Sequence, residues 1–366
     1  MHRLLNPLSA YVRDLSRSSL RAWTGFFFTP SDPTTLGLIR VLVGVLLFWD
    51  VAVLGLDLHD YLGSEGWIGP EAVRQYLALR SPWAWSFWPW VPDRWLPAAW
   101  AGCLVVMALF TVGLWSRVTA VLAWTIVVAI ARRAPVALFG FDQMISTWAL
   151  YLAAFGASGQ ALSVDRVLAR RRASTGAGPG RGDNERVAGN TVRLTATVSA
   201  NLSLRLIQLH LALVYGSAGL SKLRGTEWWD GTAMEMIILT PEFRRFDLVW
   251  LLAYPTLLGL ATHAGLLLEI AYPILIWSRK LRPLLLLAVV LMHLGIDLLL
   301  GLTEFGLTMI VANLAFIPGA WLREIWAGSR GPSSVDLGQS RLPGEPTLAA
   351  PGHTRLGSRA SASIRR

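Results

Sequence analysis

Cysteine is almost absent from this chain. The 366 residues contain one, Cys103, inside an apolar run, which excludes an internal disulfide, a Cys-x-x-Cys redox pair and a thiolate zinc site. Charge is scarce too. Only 15% of residues are Asp, Glu, Lys or Arg, against about a quarter in a soluble domain. No two histidines stand at metal-ligand spacing, so no bound metal is expected. A P-loop, a glycine-rich dinucleotide turn and a nucleophile elbow are all missing, which leaves ATP hydrolysis and serine hydrolysis without support.

What is present is hydrocarbon. Hydrophobic residues make up 54% of the chain and tryptophan alone contributes 18. Long apolar windows recur, the pattern of an all-α, polytopic membrane bundle. The formal net charge is +10, but the arginines gather in a few loops and the two tails with apolar spans between them. That pattern fits cytoplasmic flanks of a membrane protein rather than a nucleic-acid surface, so membrane lipids are the expected partners and nucleic acid is not. Residues 1–31 have no continuous apolar core, so the first span, from about Leu36, is expected to act as an uncleaved signal anchor.

Three regions follow from this pattern: a cytoplasmic N-terminal segment over 1–30, a transmembrane domain over 31–325, and a disordered basic tail over 326–366. Residues 8–28 read as a basic amphipathic helix, with Tyr11, Leu15, Leu20 and Trp23 against Arg13, Arg17 and Arg21. Ser31, Asp32 and Pro33 form a helix-start signal. Eight spans are expected near 36–56, 95–115, 118–134, 143–159, 202–222, 248–277, 283–300 and 305–322. The stretch 160–200, with seven arginines among Gly, Ser and Ala, reads as a flexible cytoplasmic linker. Eight spans with the N-terminus inside put both termini and the basic loops on the cytoplasmic side. The pair Arg132 and Arg133 alone falls outside, which asks for a special role or a shifted third span. The tryptophans between 83 and 90 suit an interfacial belt or a re-entrant segment packed at headgroup level.

The residues from Tyr215 to Gly231 organise the rest. A helix from Leu202 to Lys222 rises about 30 Å, enough to cross the hydrocarbon once, and so places Lys222 at its outer end. Arg224 follows closely; of two neighbouring cations the lysine is the one able to give up its proton and act as a base. The bland alternative is a lysine that snorkels to the interface. Gly216, Ala218 and Gly219 form a small face where another helix can approach. Trp228 and Gly231 are placed to roof a pocket or to mark the interface. Other intramembrane polar groups are functional candidates by default: Asp50 in the first span, Glu269 in the sixth, and His293 with Asp297, four apart on one face of the seventh and able to hydrogen-bond. His210 lies twelve residues before Lys222, too deep to touch it.

The series Tyr215, Gly216, Ser217, Ala218, Gly219, Leu220, Ser221, Lys222, then Trp228 and Gly231, resembles the HTTM domain family, which includes vitamin K-dependent gamma-carboxylase. Arg40, Asp50, Tyr61 and Gly66 fit the family's opening; Gly113, Arg117, Gly140, Asp142, Ser163 and Asp165 fit its middle. Glu269, Pro273, His293, Phe305, Gly306 and the run Phe316, Ile317 and Pro318 fit its end, so the resemblance spans roughly residues 30–325. It implies a multi-helix bundle in a bacterial inner membrane with its pocket on the outer side, and a reduced quinone such as vitamin K or menaquinol as cofactor. It also implies Lys222 as catalytic base, His293 supporting the pocket, and Trp228 and Gly231 shaping its loop. The segment Phe139 to Met144 holds no histidine where the carboxylase has a catalytic one, and little chain follows the last span, so carboxylation of protein glutamates is not expected. Two readings remain: a quinol- or lipid-dependent enzyme, and a non-catalytic assembly partner or small-molecule transporter. A closed Lys222 with Asp50, Asp142 or Glu269 beside it favours the enzyme; a tight ion pair weighs against Lys222 as a free base.

Overall fold

In the computed structural model, residues 2–80, 85–135, 140–175, 194–241 and 245–326 are described, and they are helical almost throughout. Asp32 and Pro33 start the first long apolar helix as their chemistry requires. Asp32 Oδ1 accepts from the Thr34 amide at 2.8 Å, and α2 runs Thr34–Leu54. It is preceded by α1 (His2–Phe28) and followed by the short helices α3 (Leu58–Leu62) and α4 (Pro70–Arg80). The next helices are α5 (Leu96–Val112), α6 (Ser116–Arg133), α7 (Gly140–Ala154) and α8 (Val164–Thr175). The second half holds α9 (Val198–Lys222), the short α10 (Thr226–Trp229) and α11 (Ala233–Leu239), then α12 (Pro255–Leu275), α13 (Arg282–Leu300), α14 (Thr303–Asn313) and α15 (Gly319–Trp326). Met1–Arg323 forms one compact unit.

Among the described residues, five helical stretches are long and apolar enough to cross a membrane: Thr34–Leu62, Asp93–Val112, Val198–Lys222, Pro255–Leu275 and Arg282–Leu300. A sixth, Thr303–Phe316 with Gly319–Trp326, is bent by 102°. The expected last span at 305–322 is therefore broken, at Pro318, which cannot continue the backbone ladder. Length and apolarity thus support five to six spans. The third and fourth expected spans fall short of this standard because α6 carries Arg117, Arg132 and Arg133 and α7 has 15 residues. An integral membrane protein follows from the long apolar helices.

Helices pair as neighbours in the chain, α2 on α5, α6 on α7, α9 on α12 and α13 on α14. Two buried arginines tie the first half together. Arg40 of α2 donates to the Phe110, Thr111 and Leu162 carbonyls at 3.0, 2.9 and 2.5 Å. It thereby satisfies carbonyls that the end of α5 leaves open. Gly113, at φ +72°, lets the chain turn there, and a Cβ would overlap Arg40. Arg133 is the special role that the discordant pair asked for. It is 1% exposed, and its guanidinium donates to Ile68 at 2.9 Å and to the Gly63 carbonyl. It clamps the α3–α4 segment onto the end of α6. Trp88 is buried in the core rather than in an interfacial belt, whereas Trp85 and Trp90 are exposed.

The end of α1 docks on α9. Asn201 donates to the Phe26 and Phe27 carbonyls at 2.8 Å each, and the Arg205 guanidinium lies 4.0 Å from the Phe26 ring. Tyr11, Leu15, Leu20 and Trp23 of α1 are exposed, as an amphipathic surface helix requires.

Candidate functional site

Small residues on α9 set the site. Gly219 is buried against α12, where a Cβ would stand 2.9 Å from Ile270 Cγ1 and 3.3 Å from the Glu269 carbonyl carbon; Gly216 faces Pro273. This is the close approach expected of the small face. One turn on, Lys222 Nζ donates to both oxygens of Glu269, at 2.6 and 2.5 Å. The side chains are 25% and 12% exposed. The Trp228 ring covers the ammonium from 5.0 Å, within cation–π range.

Lys222 ends its helix, but the pair is not at the end of the bundle. Glu269 lies fourteen residues after Pro255, the start of α12, or about 21 Å along the axis. The chain between α9 and α12 packs along that stretch. Gly231, at φ +85°, brings its Cα region against Gly259 and His263, where a Cβ would stand 3.0 Å from His263 Cε1. The His263 ring nitrogens meet the Gly259 and Trp229 carbonyls at 2.8 and 3.3 Å. The Met234 amide donates to Thr262 Oγ1 at 3.2 Å. In the same loop the Thr232 hydroxyl and amide both donate to Asp230, holding its carboxyl below the usual carboxylate range. Trp228 and Gly231 therefore belong to a folded cover over the pair, while Arg224 is exposed.

A second polar group is buried beside it. Tyr215 Oη and His293 Nε2 are 2.9 Å apart. Asn313 Nδ2 donates to Tyr215 Oη at 3.3 Å, and Tyr272 Oη donates to Asn313 Oδ1 at 2.6 Å. The two tyrosine rings stack with centroids 4.0 Å apart. His293 is 2% exposed, and its Nδ1 has no hydrogen-bond partner among the described residues. Among the described residues His293 and Asp297 make no hydrogen bond with each other, although their spacing allows one. Histidine turns instead to the hydroxyl that α9 supplies, and Asp297 meets Arg245 at 3.9 Å. Gly306 of α14 sits directly on this face, where a Cβ would stand 2.8 Å from the His293 carbonyl oxygen and 2.9 Å from Asp297 Cβ.

Of the acids named beside Lys222, Glu269 is its ion-pair partner among the described residues. Asp50 is half-buried in α2 and takes no part in that pair. The side chain of Asp142, at the start of α7, lies outside the described residues. His210 accepts from Trp148 Nε1 at 3.2 Å, well removed from Lys222 as its spacing requires. Tyr272 and Asn313 were not singled out in the sequence. An asparagine within an apolar helix was the available signal, since polar groups in hydrocarbon seek partners.

A cavity of about 560 Å³ lies elsewhere, lined by residues of the α5–α6 turn, α8 and Leu194–Thr195. It is separate from the lysine pair, and the chemistry of the donor set gives the pair the stronger claim as a reactive centre. No curated protein and no solved structure matches the chain. Residues 190–321 match the model of the HTTM domain, a match that takes in α9 to α14 and every side chain of the two polar groups. Over those residues the chain is similar to the HTTM domain.

Proposed function

We propose that the protein is a membrane enzyme that takes a proton from an acidic hydroxyl of a lipid-soluble substrate, with a reduced quinone as the class that suits it. The observation that carries this reading is the enclosed Lys222–Glu269 pair, bidentate and covered by Trp228. The proton arithmetic closes. Because the ion pair weighs against Lys222 as a free base, a proton must first pass within the pair, from the ammonium to the Glu269 carboxylate, to leave a free amine. The substrate O–H then breaks toward Nζ. The end state is a carboxylic acid on Glu269, an ammonium on Lys222 and an oxyanion beside it, so the pair gains the one proton that the substrate loses. Lys222 is the base, and Glu269 is what empties it. A low-dielectric surrounding strengthens the final ammonium–oxyanion attraction. His293, held by Tyr215, supports the pocket, with Asp50, Asp142 and Asp297 as further groups toward the substrate.

Eight crossings with both ends in the cytoplasm would open this centre to the outer side of a bacterial inner membrane. In that arrangement 1–30 lies on the cytoplasmic face, 31–325 forms the membrane domain and 326–366 is a basic tail among membrane lipids. The test is oxygen-dependent turnover of menaquinol by purified protein in detergent, comparing wild type with Lys222→Ala and Glu269→Gln. Turnover lost in both variants, each still folded at the assay temperature, supports the proposal. An inert wild type, or variants as fast as wild type, overturns it. A second reading, an ion pair that only clamps α9 to α12, is favoured by its position one turn from the Gly219–Ile270 contact. It expects no turnover by wild type, whereas a loss of stability in the variants is common to both readings.

A further inference from the structure

We propose that His293 binds substrate directly, its Nδ1–H donating to an oxygen acceptor of a lipid-soluble ligand, the second ring oxygen of the quinol. The inference rests on the reading of Lys222 and Glu269 as the centre that takes a proton from the first. Tyr215 and Lys222 lie seven residues apart on α9, and Glu269 and Tyr272 three apart on α12. Each pair therefore shares a helix face. The histidine group is the next layer of the same interface, near enough for Lys222 to act on His293 electrostatically.

One backbone carbonyl sets the direction of every hydrogen bond in this layer. The Asn313 amide meets the Met309 carbonyl at 2.8 Å, and a carbonyl only accepts, so that end of the side chain is Nδ2. Its oxygen is left for Tyr272, whose hydroxyl donates at 2.6 Å. The second Nδ2 hydrogen goes to Tyr215 Oη at 3.3 Å. Tyr215 thus accepts from Asn313, and its own hydrogen is free for His293 Nε2, 2.9 Å away. Nε2 accepts and carries no proton. A buried imidazolium with no carboxylate bonded to it would be costly, so the ring is neutral and its one N–H lies on Nδ1.

The opposite tautomer is worse. With the hydrogen on Nε2, the Tyr215 hydroxyl would lose its acceptor and Nδ1 would lack a donor, two unmet groups in place of one. In the favoured arrangement α9, α12, α13 and α14 each supply one side chain, and the hydrogens run from Tyr272 through Asn313 and Tyr215 to His293. The series ends on an N–H with no partner among the described residues. His293 is 2% exposed, so bulk water does not satisfy it either. A buried donor left open destabilises the fold, and an acceptor arriving there recovers that cost.

A ligand oxygen suits this donor better than a trapped water. Tyr215, Asn313 and Tyr272 spend their polar atoms on one another, and Asp297, one turn along α13, meets Arg245. A water at Nδ1 would fall short of the roughly two to four polar partners that buried waters hold. The Phe305 ring stands edge-on to the imidazole, with centroids 5.3 Å apart. A quinol ring brings an apolar face for such a neighbour and an oxygen at each end, one for the lysine and one for the histidine. Apolar walls with a few placed polar groups are the usual make-up of such sites.

The test is nitrogen NMR of the full chain in detergent, labelled with 15N-histidine and 13C-tyrosine so that the Tyr215 hydroxyl carbon marks His293, with oxidised menaquinone as the probe. Its carbonyls only accept, and its binding needs no proton transfer. His293 should show a bare Nε2 and a protonated Nδ1, and the Nδ1–H signal should move when menaquinone is added. His293→Phe should weaken menaquinone binding roughly tenfold, the loss of one hydrogen bond; the wild-type spectra need no variant and stand if it fails to fold. A proton on Nε2 overturns the assignment. An Nδ1–H that menaquinone leaves unmoved makes the acceptor a trapped water and overturns the ligand contact. Turnover lost in Lys222→Ala beside an unmoved Nδ1–H would keep the base and remove the donor. A moved Nδ1–H in a protein without turnover would keep the donor and remove the base.

Discussion

Removing one member of the Lys222–Glu269 pair should cost the fold more than removing both. The oxygens of Glu269 stand 2.6 and 2.5 Å from Nζ, and the side chains are 25% and 12% exposed. Both charges are largely out of water, so each depends on the other. Breaking a buried pair from one side typically costs 3–5 kcal/mol, whereas replacing both members by apolar groups is often near neutral. Lys222→Met leaves the less exposed carboxylate stranded, for an expected loss of about 3–4 kcal/mol. Glu269→Leu leaves an ammonium with a flexible stem and the Trp228 face still near, for about 2–3 kcal/mol. The double variant should return to within about 1 kcal/mol of wild type, a coupling of roughly 4–7 kcal/mol. The assay is unfolding by SDS in mixed micelles, followed by tryptophan fluorescence, for all four members of the cycle. Losses that simply add, with coupling under about 0.5 kcal/mol, would mean that water screens the pair. Lys222 would then be an interfacial lysine that happens to lie near an acid.

Gly219→Ala should push α9 from α12, because its Cβ would stand 2.9 Å from Ile270 Cγ1 and 3.1 Å from the Ile270 amide; a loss of about 1–3 kcal/mol is expected from melting in detergent. Arg133→Met should free the backbone near Gly63 and Ile68 and cost about 2–4 kcal/mol, seen as faster proteolysis within residues 57–70 while Arg132→Met changes little. Burial alone would raise the Asp165 carboxyl, but the Ser116 hydroxyl and amide, the Trp115 amide and Arg40 hold it below its ordinary value of 3.8. Its folded value is the lower one, so its stabilisation is complete above about pH 4 and is lost as pH falls through the folded value. Asp165→Asn should therefore flatten the acid limb of a melting-versus-pH curve and lower its plateau.

The parts of the fold legible in sequence are those set by hydrocarbon and by local signals. Asp32 and Pro33 mark the start of α2, and the glycines of α9 mark the face that receives α12. The number of crossings was less legible, because α6 and α7 combine short length with arginines that only tertiary partners make tolerable. Arg40 and Arg133 illustrate this, since the carbonyls they bind lie about 70 residues away in the chain and no local pattern records them. Lys222 and Glu269 are both visible as candidates, with Glu269 one of three acids able to stand beside the lysine, but the choice among them, across 47 residues, is not. Helical spacing allows His293 to bond Asp297, but the Tyr215 hydroxyl on another helix takes the bond instead. Spacing within a helix says which residues share a face, and only packing says what that face meets.

The most direct measurement is the infrared difference spectrum of the protein on adding menaquinol, wild type beside Glu269→Gln. A protonated-carboxyl C=O band should rise as a carboxylate band falls in wild type, and both should vanish in the variant. A wild-type spectrum without a carboxyl band, or one unchanged by Glu269→Gln, would contradict a proton-accepting Lys222–Glu269 centre.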